Sequence, residues 1–169
     1  MLKLGYIAKE NVHMRIDTKC SIGIHCMILI AVYGDKCKLT SEIIARSTGC
    51  NNVIIRNILG KLKKNGLIMI ARGVGGAVLN CNLHEVSIWD IYCAVDDKNP
   101  AEIIGIHPNP YEKCPVGHSI EEILRKPYND IGDAITNEMK KHTLDCIVDE
   151  FYKREPGWAD VLKISEHKK

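Results

Sequence analysis

Residues Thr40 to Leu79 read TSEIIARSTGCNNVIIRNILGKLKKNGLIMIARGVGGAVL, and this stretch decides the fold. It predicts two helices joined by a tight turn and followed by a glycine-tipped β-hairpin. Thr40 is the predicted N-cap of the first helix and Asn51 or Asn52 that of the second, because their side-chain oxygens accept hydrogen bonds from first-turn amides. Gly49 suits the turn, where a positive φ is expected. This order is typical of a winged helix-turn-helix.

The second predicted helix has two distinct faces. One is a buried apolar stripe at helical spacing, formed by Ile54, Ile55, Ile58, Leu59 and Leu62. The opposite face is polar and basic, formed by Asn52, Arg56, Asn57, Lys61, Lys63 and Lys64. Gly66 is expected to end the helix as a left-handed cap, and a hairpin with strands at 67–70 and 77–79 follows as the wing.

Charge is segregated along the chain, although the formal net charge is only +2. From Lys36 to Arg72 there are eight basic residues and one acidic residue, whereas from Asp96 to the end there are eleven basic and fifteen acidic residues. Lysines on an amphipathic helix are often only its solvated face, and that alternative stays open for the charge run alone. Because the basic residues coincide with the turn and the wing, they favour binding to DNA phosphates.

Composition limits the class of protein. The 169 residues are 46% hydrophobic, enough for one domain or for a small domain with an appendage. No apolar run approaches the roughly 20 residues of a membrane span, and the first thirteen residues lack the pattern of a secretory signal, so we expect a cytoplasmic protein. The eight cysteines are scattered without a C-x-x-C pair, and we expect most of them to be free thiols packed as small apolar residues.

The predicted fold class is mainly α with a small β-hairpin wing and a long C-terminal dimerisation helix. Five parts are expected along the chain: an N-terminal extension (1–13), a winged helix-turn-helix DNA-binding domain (14–95), a loop as candidate sensing region (96–118), dimerisation helices (119–152) and a C-terminal tail (153–169). The DNA-binding domain is predicted to include a first helix at 15–33 and a last one at 87–95, opened by a capping box of Ser87 and Asp90.

The long C-terminal helix is expected to begin at a capping box, Ser119–Glu122, to bend at Pro127, and to be followed by a short helix from Thr143. Its apolar stripe consists of Ile120, Ile123, Leu124, Tyr128, Ile131, Ile135 and Met139. One winged helix cannot cover a stripe of this length, so we expect a homodimer that pairs these helices and presents two recognition helices to DNA. The alternative is that the stripe packs on its own domain.

Four stretches resemble one known family. MRIDTKCSIGIH from Met14, LGKLKKNGL from Leu59, RGVGG from Arg72 and SIWDIYCAVD from Ser87 are similar to the Rrf-two (Rrf2) family of bacterial winged helix-turn-helix transcription regulators. The resemblance covers about residues 14–151. It implies a sequence-specific regulator, expected to be a repressor, that binds a palindromic promoter site in double-stranded DNA as a homodimer.

The resemblance also implies roles for single residues. Arg56 and Asn57 would face bases in the major groove, and Arg72 of the wing would enter the minor groove. This agrees with side-chain chemistry, since Arg pairs with guanine and Asn with adenine through two hydrogen bonds each. Gly75 and Gly76 would let the backbone of the wing approach phosphates, and the lysines would contact phosphates. The full predicted DNA-binding set is Thr40, Ser41, Thr48, Asn51, Asn52, Arg56, Asn57, Lys61, Lys64, Arg72, Gly75 and Gly76.

The predicted sensing region departs from the cluster-binding members of the family, which carry three cysteines ahead of the long helix. This chain has only Cys114 there, and Cys93, His107 and His118 are the other soft ligands. Their irregular spacing and the shortage of thiolates argue against zinc and against an iron-sulfur cluster, so no metal and no cofactor is expected. Cys114, just ahead of a helix and four residues before His118, is a candidate redox-sensitive thiol, with a packed structural cysteine as the alternative.

Other classes of function are disfavoured or stay open. An enzyme with Cys114 as nucleophile and His118 as base would lack an orienting group and an oxyanion site, so we do not expect an enzyme. The hairpin glycines precede a strand, whereas a nucleotide-binding loop needs a helix N-terminus at that point. Control by a partner enzyme or a small effector stays open, because some relatives respond to a partner enzyme.

Overall fold

The computed structural model describes residues 18–70, 76–96 and 104–157. Within these ranges the chain forms α-helices and one two-stranded antiparallel sheet, in which Ile68 pairs with Leu79 and Ile70 with Ala77. The elements are α1 Thr18–Tyr33, α2 Ser41–Thr48, α3 Asn52–Lys64, β1 Ile68–Ile70, β2 Ala77–Leu79, α4 Ile88–Val95, α5 Pro115–Lys141 and α6 Leu144–Arg154. The predicted fold class, mainly α with a hairpin wing and a long C-terminal helix, is confirmed.

One apolar core joins α1, α2, α3, the hairpin, α4 and α6. Its fully buried members include Met27 of α1, Ile44 of α2, Ile55 and Leu62 of α3, and Ile91 of α4. Burying a side chain of this size stabilises the fold by about 1.5–3 kcal/mol relative to leaving it exposed. The core therefore fixes the rotation of α3, with one face inward and the other toward solvent.

The turn between α2 and α3 forms as predicted. The Thr40 hydroxyl caps α2 by accepting a 3.3 Å hydrogen bond from the Ile43 amide. Asn51 caps α3, and its Oδ1 accepts a 2.8 Å bond from the Val53 amide. Gly49 has a φ of 67°, the left-handed conformation that a side chain would strain. These local bonds set where α3 begins and how it leaves the turn.

The predicted apolar stripe of α3 is wrong at one position. Ile54 is 44% exposed, whereas Ile55, Ile58, Leu59 and Leu62 are buried. The four buried residues follow one helical face, and Ile54 lies about 100° away from Ile55 around the helix axis. Ile54 therefore belongs to the solvent face.

The long helix α5 begins earlier than predicted. It starts at Pro115 instead of Ser119, and Cys114 is its N-cap. Proline is well suited to the first helical position, because the amide that it lacks would have no helical partner there. Residues 115–118 are therefore helical and not part of the loop, and the box at Ser119 lies inside the helix. Pro127 also lies inside α5, and the bend expected there stays a prediction.

The C-terminal half of α5 attaches it to the rest of the protein. Its buried residues are Gly132 and Met139, and Met139 packs in a second apolar cluster with Cys20 and Tyr92. The Lys140 ammonium lies 5.7 Å from the centre of the Trp89 ring, within cation–π range. No helix in the described part of the chain combines the length and the apolar character that a membrane span requires.

A backbone connection holds the end of α5 against the start of α4. Ser87 and Thr143 form an antiparallel bridge, and the Leu144 amide donates a 2.7 Å hydrogen bond to the Val86 carbonyl. The capping box predicted at Ser87 and Asp90 is present. Ser87 takes part both in this capping box and in the bridge to Thr143, the residue before α6. The starts of α4 and α6 are therefore held together.

Candidate nucleic-acid interface

The solvent face of α3 lies beside the N-terminus of α2. Arg56 Nε donates a 3.4 Å hydrogen bond to Ser41 Oγ. A recess of about 360 Å³ opens here between α2, α3 and the hairpin, and its lining includes Thr40, Ser41, Arg56 and Gly76. The structure thus brings four members of the predicted DNA-binding set into one place.

A second recess, of about 440 Å³, also borders Arg56. Its charged and polar lining consists of Lys19, Arg56, Asn57, Lys61 and Lys64. Four cationic side chains around one recess create the positive potential that attracts phosphate. Lys19 was missed in the sequence because it comes from α1, which is far from α3 along the chain.

Lys61 makes a contact that differs from its predicted role. Its Nζ donates a 3.1 Å hydrogen bond to the carbonyl of Val95, at the end of α4. Asn65 Nδ2 donates a 3.4 Å bond to the neighbouring carbonyl of Ala94. The last carbonyls of a helix lack helical partners, so both bonds satisfy groups that the fold leaves open. The ammonium of Lys61 thus stabilises the contact between α3 and α4, and its phosphate contact stays a prediction.

Thr48 and Asn51 use their side chains partly for the fold, and Asn52 is partly enclosed by it. Thr48 Oγ1 donates a 2.9 Å hydrogen bond to the Ile44 carbonyl, and Asn51 is occupied as the cap of α3. Asn52 is half-buried, and its Oδ1 is enclosed without a hydrogen-bond partner among the described residues. Asn52 therefore offers less of its side chain to a ligand than the predicted polar face implied.

The wing carries one described member of the predicted set. Arg72 and Gly75 lie outside the described residues. At Gly76, an added Cβ would lie 2.6 Å from the Leu39 carbonyl oxygen, and the next amide, that of Ala77, donates a 3.0 Å hydrogen bond to the same oxygen. Glycine is required here so that the wing can pack against the segment before α2.

The predicted sensing residues occupy separate places. Cys114 is half-buried at the N-cap of α5 without a side-chain capping bond, whereas Cys93 is exposed on α4. His107 and His118 are exposed. Within 18–70, 76–96 and 104–157, no group of three or more His, Cys, Asp or Glu side chains is arranged to hold a metal ion.

The eight cysteines are free thiols, as predicted. Burial raises the pKa of Cys20 to about 11 and that of Cys26 to about 12, because the thiolate loses its hydration. These two therefore act as small apolar core residues.

A groove of about 710 Å³ lies between α1, α2 and α6, and none of its lining residues belongs to α3. Its walls are mostly apolar, with Ile28, Ile43 and Phe151 among them. His25 Nε2 lies 3.1 Å from Ser47 Oγ at this groove, and burial lowers the pKa of His25. The groove could not be predicted locally, since three separate helices form it.

Comparison with known proteins agrees with this geometry. The family described as Rrf2, iron-dependent transcriptional regulator, matches residues 16–150. YwnA of Bacillus subtilis (strain 168), named as an HTH-type transcriptional regulator, is 31% identical over 137 residues, which cover 81% of this chain and 99% of YwnA. A crystal structure described as a DNA-binding protein has a TM-score of 0.60 at 31% identity and covers 76% of this chain and 97% of that one. CymR, the global cysteine regulator of B. subtilis, shares the fold with a TM-score of 0.58 at 19% identity, covering 80% of this chain and 96% of CymR.

The description of the family refers to iron, and the segment before α5 does not supply the thiolates that an iron-sulfur cluster requires. Clusters need about four ligands, mostly thiolates, whereas the segment 104–114 before α5 has the single cysteine Cys114. The match over residues 16–150 covers most of the chain, and the solved structures that it resembles share its fold. This chain belongs to the Rrf2 family of bacterial DNA-binding transcription regulators.

Proposed function

We propose that this protein is a homodimeric repressor that binds a palindromic promoter site, in the cytoplasm where bacterial promoter DNA lies. The observation that carries the proposal is the pair of recesses bordering Arg56 on the exposed face of α3. In a helix-turn-helix the second helix enters the major groove, and the first crosses the backbone. The proposal therefore assigns base contacts to α3 and phosphate contacts to the start of α2.

The residues of the recesses divide into two roles. Arg56 and Asn57 are exposed at the middle of α3 and carry the donors and acceptors that distinguish base edges. Lys64 and Lys19 lie at the border of the same recess and supply charge without base preference. The α2 N-terminus, with Ser41 hydrogen-bonded to Arg56, offers amides to a phosphate and orients the arginine.

The homodimer is supported by the exposed face of α5. Ile123 is 60% exposed and Ile131 41% exposed on a helix of 27 residues, which is about 40 Å long. Pairing with α5 of a second copy would bury this stripe. The two-fold axis of such a dimer would match the symmetry of a palindromic site. Sedimentation velocity tests this: the wild type is expected to sediment as a dimer and the Ile123→Glu, Ile131→Glu double variant as a monomer. A monomeric wild type at micromolar concentration would contradict the dimer.

DNA binding is tested with fluorescently labelled duplexes from the region upstream of the gene for this protein. The logarithm of affinity should fall against the logarithm of salt concentration with a slope of about 0.9 per phosphate contact. Arg56→Ala should lower the preference for the bound duplex over a scrambled one by about tenfold. Lys64→Ala should weaken both duplexes alike. Failure of the wild type to bind any upstream fragment, with or without reductant, would contradict the proposal.

Repression itself needs a separate measurement. In transcription from the bound promoter with purified polymerase, added protein should lower the amount of transcript. A rise in transcript would make the protein an activator and leave the DNA-binding assignment unchanged.

A second candidate function concerns control through Cys114. Its position as N-cap places Sγ at the positive end of α5, and no side-chain capping bond occupies it. In this proposal a peroxide oxidises the thiolate to sulfenic acid and is itself reduced to water, and the change at the helix start weakens DNA binding. Cys114→Ser should keep its affinity for DNA in peroxide while the wild type loses it. Equal loss in both proteins would exclude this control and leave a partner enzyme or a small effector.

A further inference from the structure

Two large apolar side chains lie on the solvent face of α3, among polar and basic neighbours. Val53 is 60% exposed and Ile54 is 44% exposed, and both are in the first turn after the cap at Asn51. The packing of the core does not require them there, because the inner face of α3 is already supplied by other residues. The buried residues of the helix are Ile55, Ile58, Leu59 and Leu62.

Helix formation does not require these two residues either. Valine and isoleucine are branched at Cβ and are poorer helix formers than alanine, lysine or glutamate. At these exposures, much of the apolar surface of both side chains also stays in water. A bound partner with an apolar group at this position would remove both side chains from water.

Their neighbours identify the chemistry of that partner. Val53 precedes Arg56 and Asn57 by three and four residues, so the three side chains adjoin on the helix surface. Ile54 lines the same recess as Arg56, Asn57 and Lys64. In the proposed function this recess faces the major groove, where N-terminal residues of the recognition helix reach the base edges. The C5 methyl of thymine is the apolar group that unmodified bases present in that groove.

We infer that Val53 and Ile54 contact thymine methyl groups and thereby select A·T pairs at fixed positions of each half-site. The inference rests on the proposed DNA-binding function and adds a rule of specificity to it. Arg56 and Asn57 read the neighbouring pairs through hydrogen bonds, and the two aliphatic residues read the methyl pattern. Uracil pairs with adenine as thymine does but lacks the methyl, so these residues distinguish the two bases.

Substitution of uracil for thymine isolates the methyl group. The probe is a duplex that the wild-type protein selects from a random DNA library, with each thymine replaced singly by deoxyuridine. We expect affinity to fall about fourfold at one or two positions in each half-site, which corresponds to about 0.8 kcal/mol for one buried methyl-sized group. The inference would be overturned if every uracil duplex bound as tightly as the parent thymine duplex.

Variants connect the effect to the two residues. For each of the variants Val53→Ala and Ile54→Ala, replacement of thymine by uracil at one of the sensitive positions should leave the affinity nearly unchanged. Val116→Ala is the matched control, since this valine is 65% exposed on α5, and it should keep the fourfold difference. Full retention of the difference in both α3 variants would overturn the inference.

The two proposals fail in distinguishable ways. A wild-type protein that enriches no sequence from the library contradicts the proposed function and this inference together. Enrichment of a site whose recognition depends on Arg56, without any uracil effect, contradicts only the inference.

Discussion

Lys61 Nζ donates a 3.1 Å hydrogen bond to the carbonyl oxygen of Val95, the last residue of α4. Lys61 belongs to α3, which faces DNA in the proposed function, and α4 is the helix that packs against α5. A cation at the C-terminus of a helix also interacts favourably with the helix dipole. One side chain therefore connects α3 to α4, the helix on which α5 packs.

Replacement of Lys61 is expected to lower stability. Lys61→Met keeps most of the aliphatic chain but leaves the Val95 carbonyl without its charged donor, and the free energy of unfolding should fall by about 1.5 kcal/mol. Lys64→Met is the control at an exposed position of the same helix and should change stability by less than about 0.5 kcal/mol. Urea denaturation measures both. Equal stabilities would mean that the Lys61 bond contributes nothing in solution.

The two glycines Gly76 and Gly60 should respond to alanine in opposite directions. At Gly76 a Cβ would meet the backbone of Leu39, so Gly76→Ala should destabilise the protein by about 1–3 kcal/mol. At Gly60 a Cβ would meet nothing within 4 Å, and alanine in a helix interior should stabilise by about 0.5–1 kcal/mol. Thermal unfolding of both variants checks the signs. A neutral Gly76→Ala would show that the wing does not need this close approach.

Thiol reactivity should follow burial. Because the pKa of Cys26 is about 12, only about one in ten thousand of its thiols is ionised at pH 8, and Cys20 is similarly protected. Both should resist iodoacetamide in the native protein and react after unfolding in urea. Cys146 is exposed and serves as the internal control that reacts at once. Peptide mass spectrometry measures each site, and rapid native labelling of Cys26 would contradict the packing of α1.

Stability should depend on the protonation of His25. Burial lowers its pKa below 6.5, so the fold favours the neutral ring. Its contribution is therefore present above the unfolded pKa of 6.5 and is lost as the pH falls through that value toward the lower folded pKa. His25→Gln should flatten this part of the stability profile, measured by urea denaturation. Ser47→Ala keeps the burial of the ring and should keep the pH dependence, whereas an unchanged profile in His25→Gln would exclude the assignment.

The helix-turn-helix could be predicted because its signals act over a few residues. The caps at Thr40 and Asn51 and the left-handed Gly49 determine their turns locally, and the structure has all three. The start of α5 was missed for a related reason. Ser119–Glu122 has the composition of a capping box, but Pro115 at the first position starts the helix one turn earlier.

The candidate site was predicted only in part, since tertiary packing decides the remainder. The exposure of Ile54 depends on how α3 is rotated against the core. From the sequence alone, an apolar residue next to an apolar stripe is assigned to that stripe. Lys19 joins the second recess from a distant helix. The bond from Lys61 to Val95 likewise depends on where α4 ends, which no local pattern around Lys61 contains.

Helix α5 is attached to the rest of the protein near its C-terminal end, so its N-terminal end moves farthest when the helix tilts. Its buried residues Gly132 and Met139 lie in the C-terminal half, and Cys114 caps the opposite end of the 27 residues. Cys114 lies roughly 27–38 Å along the helix from these two residues. A tilt of about 10° about the attachment therefore displaces it by about 5–7 Å. Within one copy of the chain, a small rotation at α4, which packs on both α3 and α5, therefore becomes a larger displacement at Cys114.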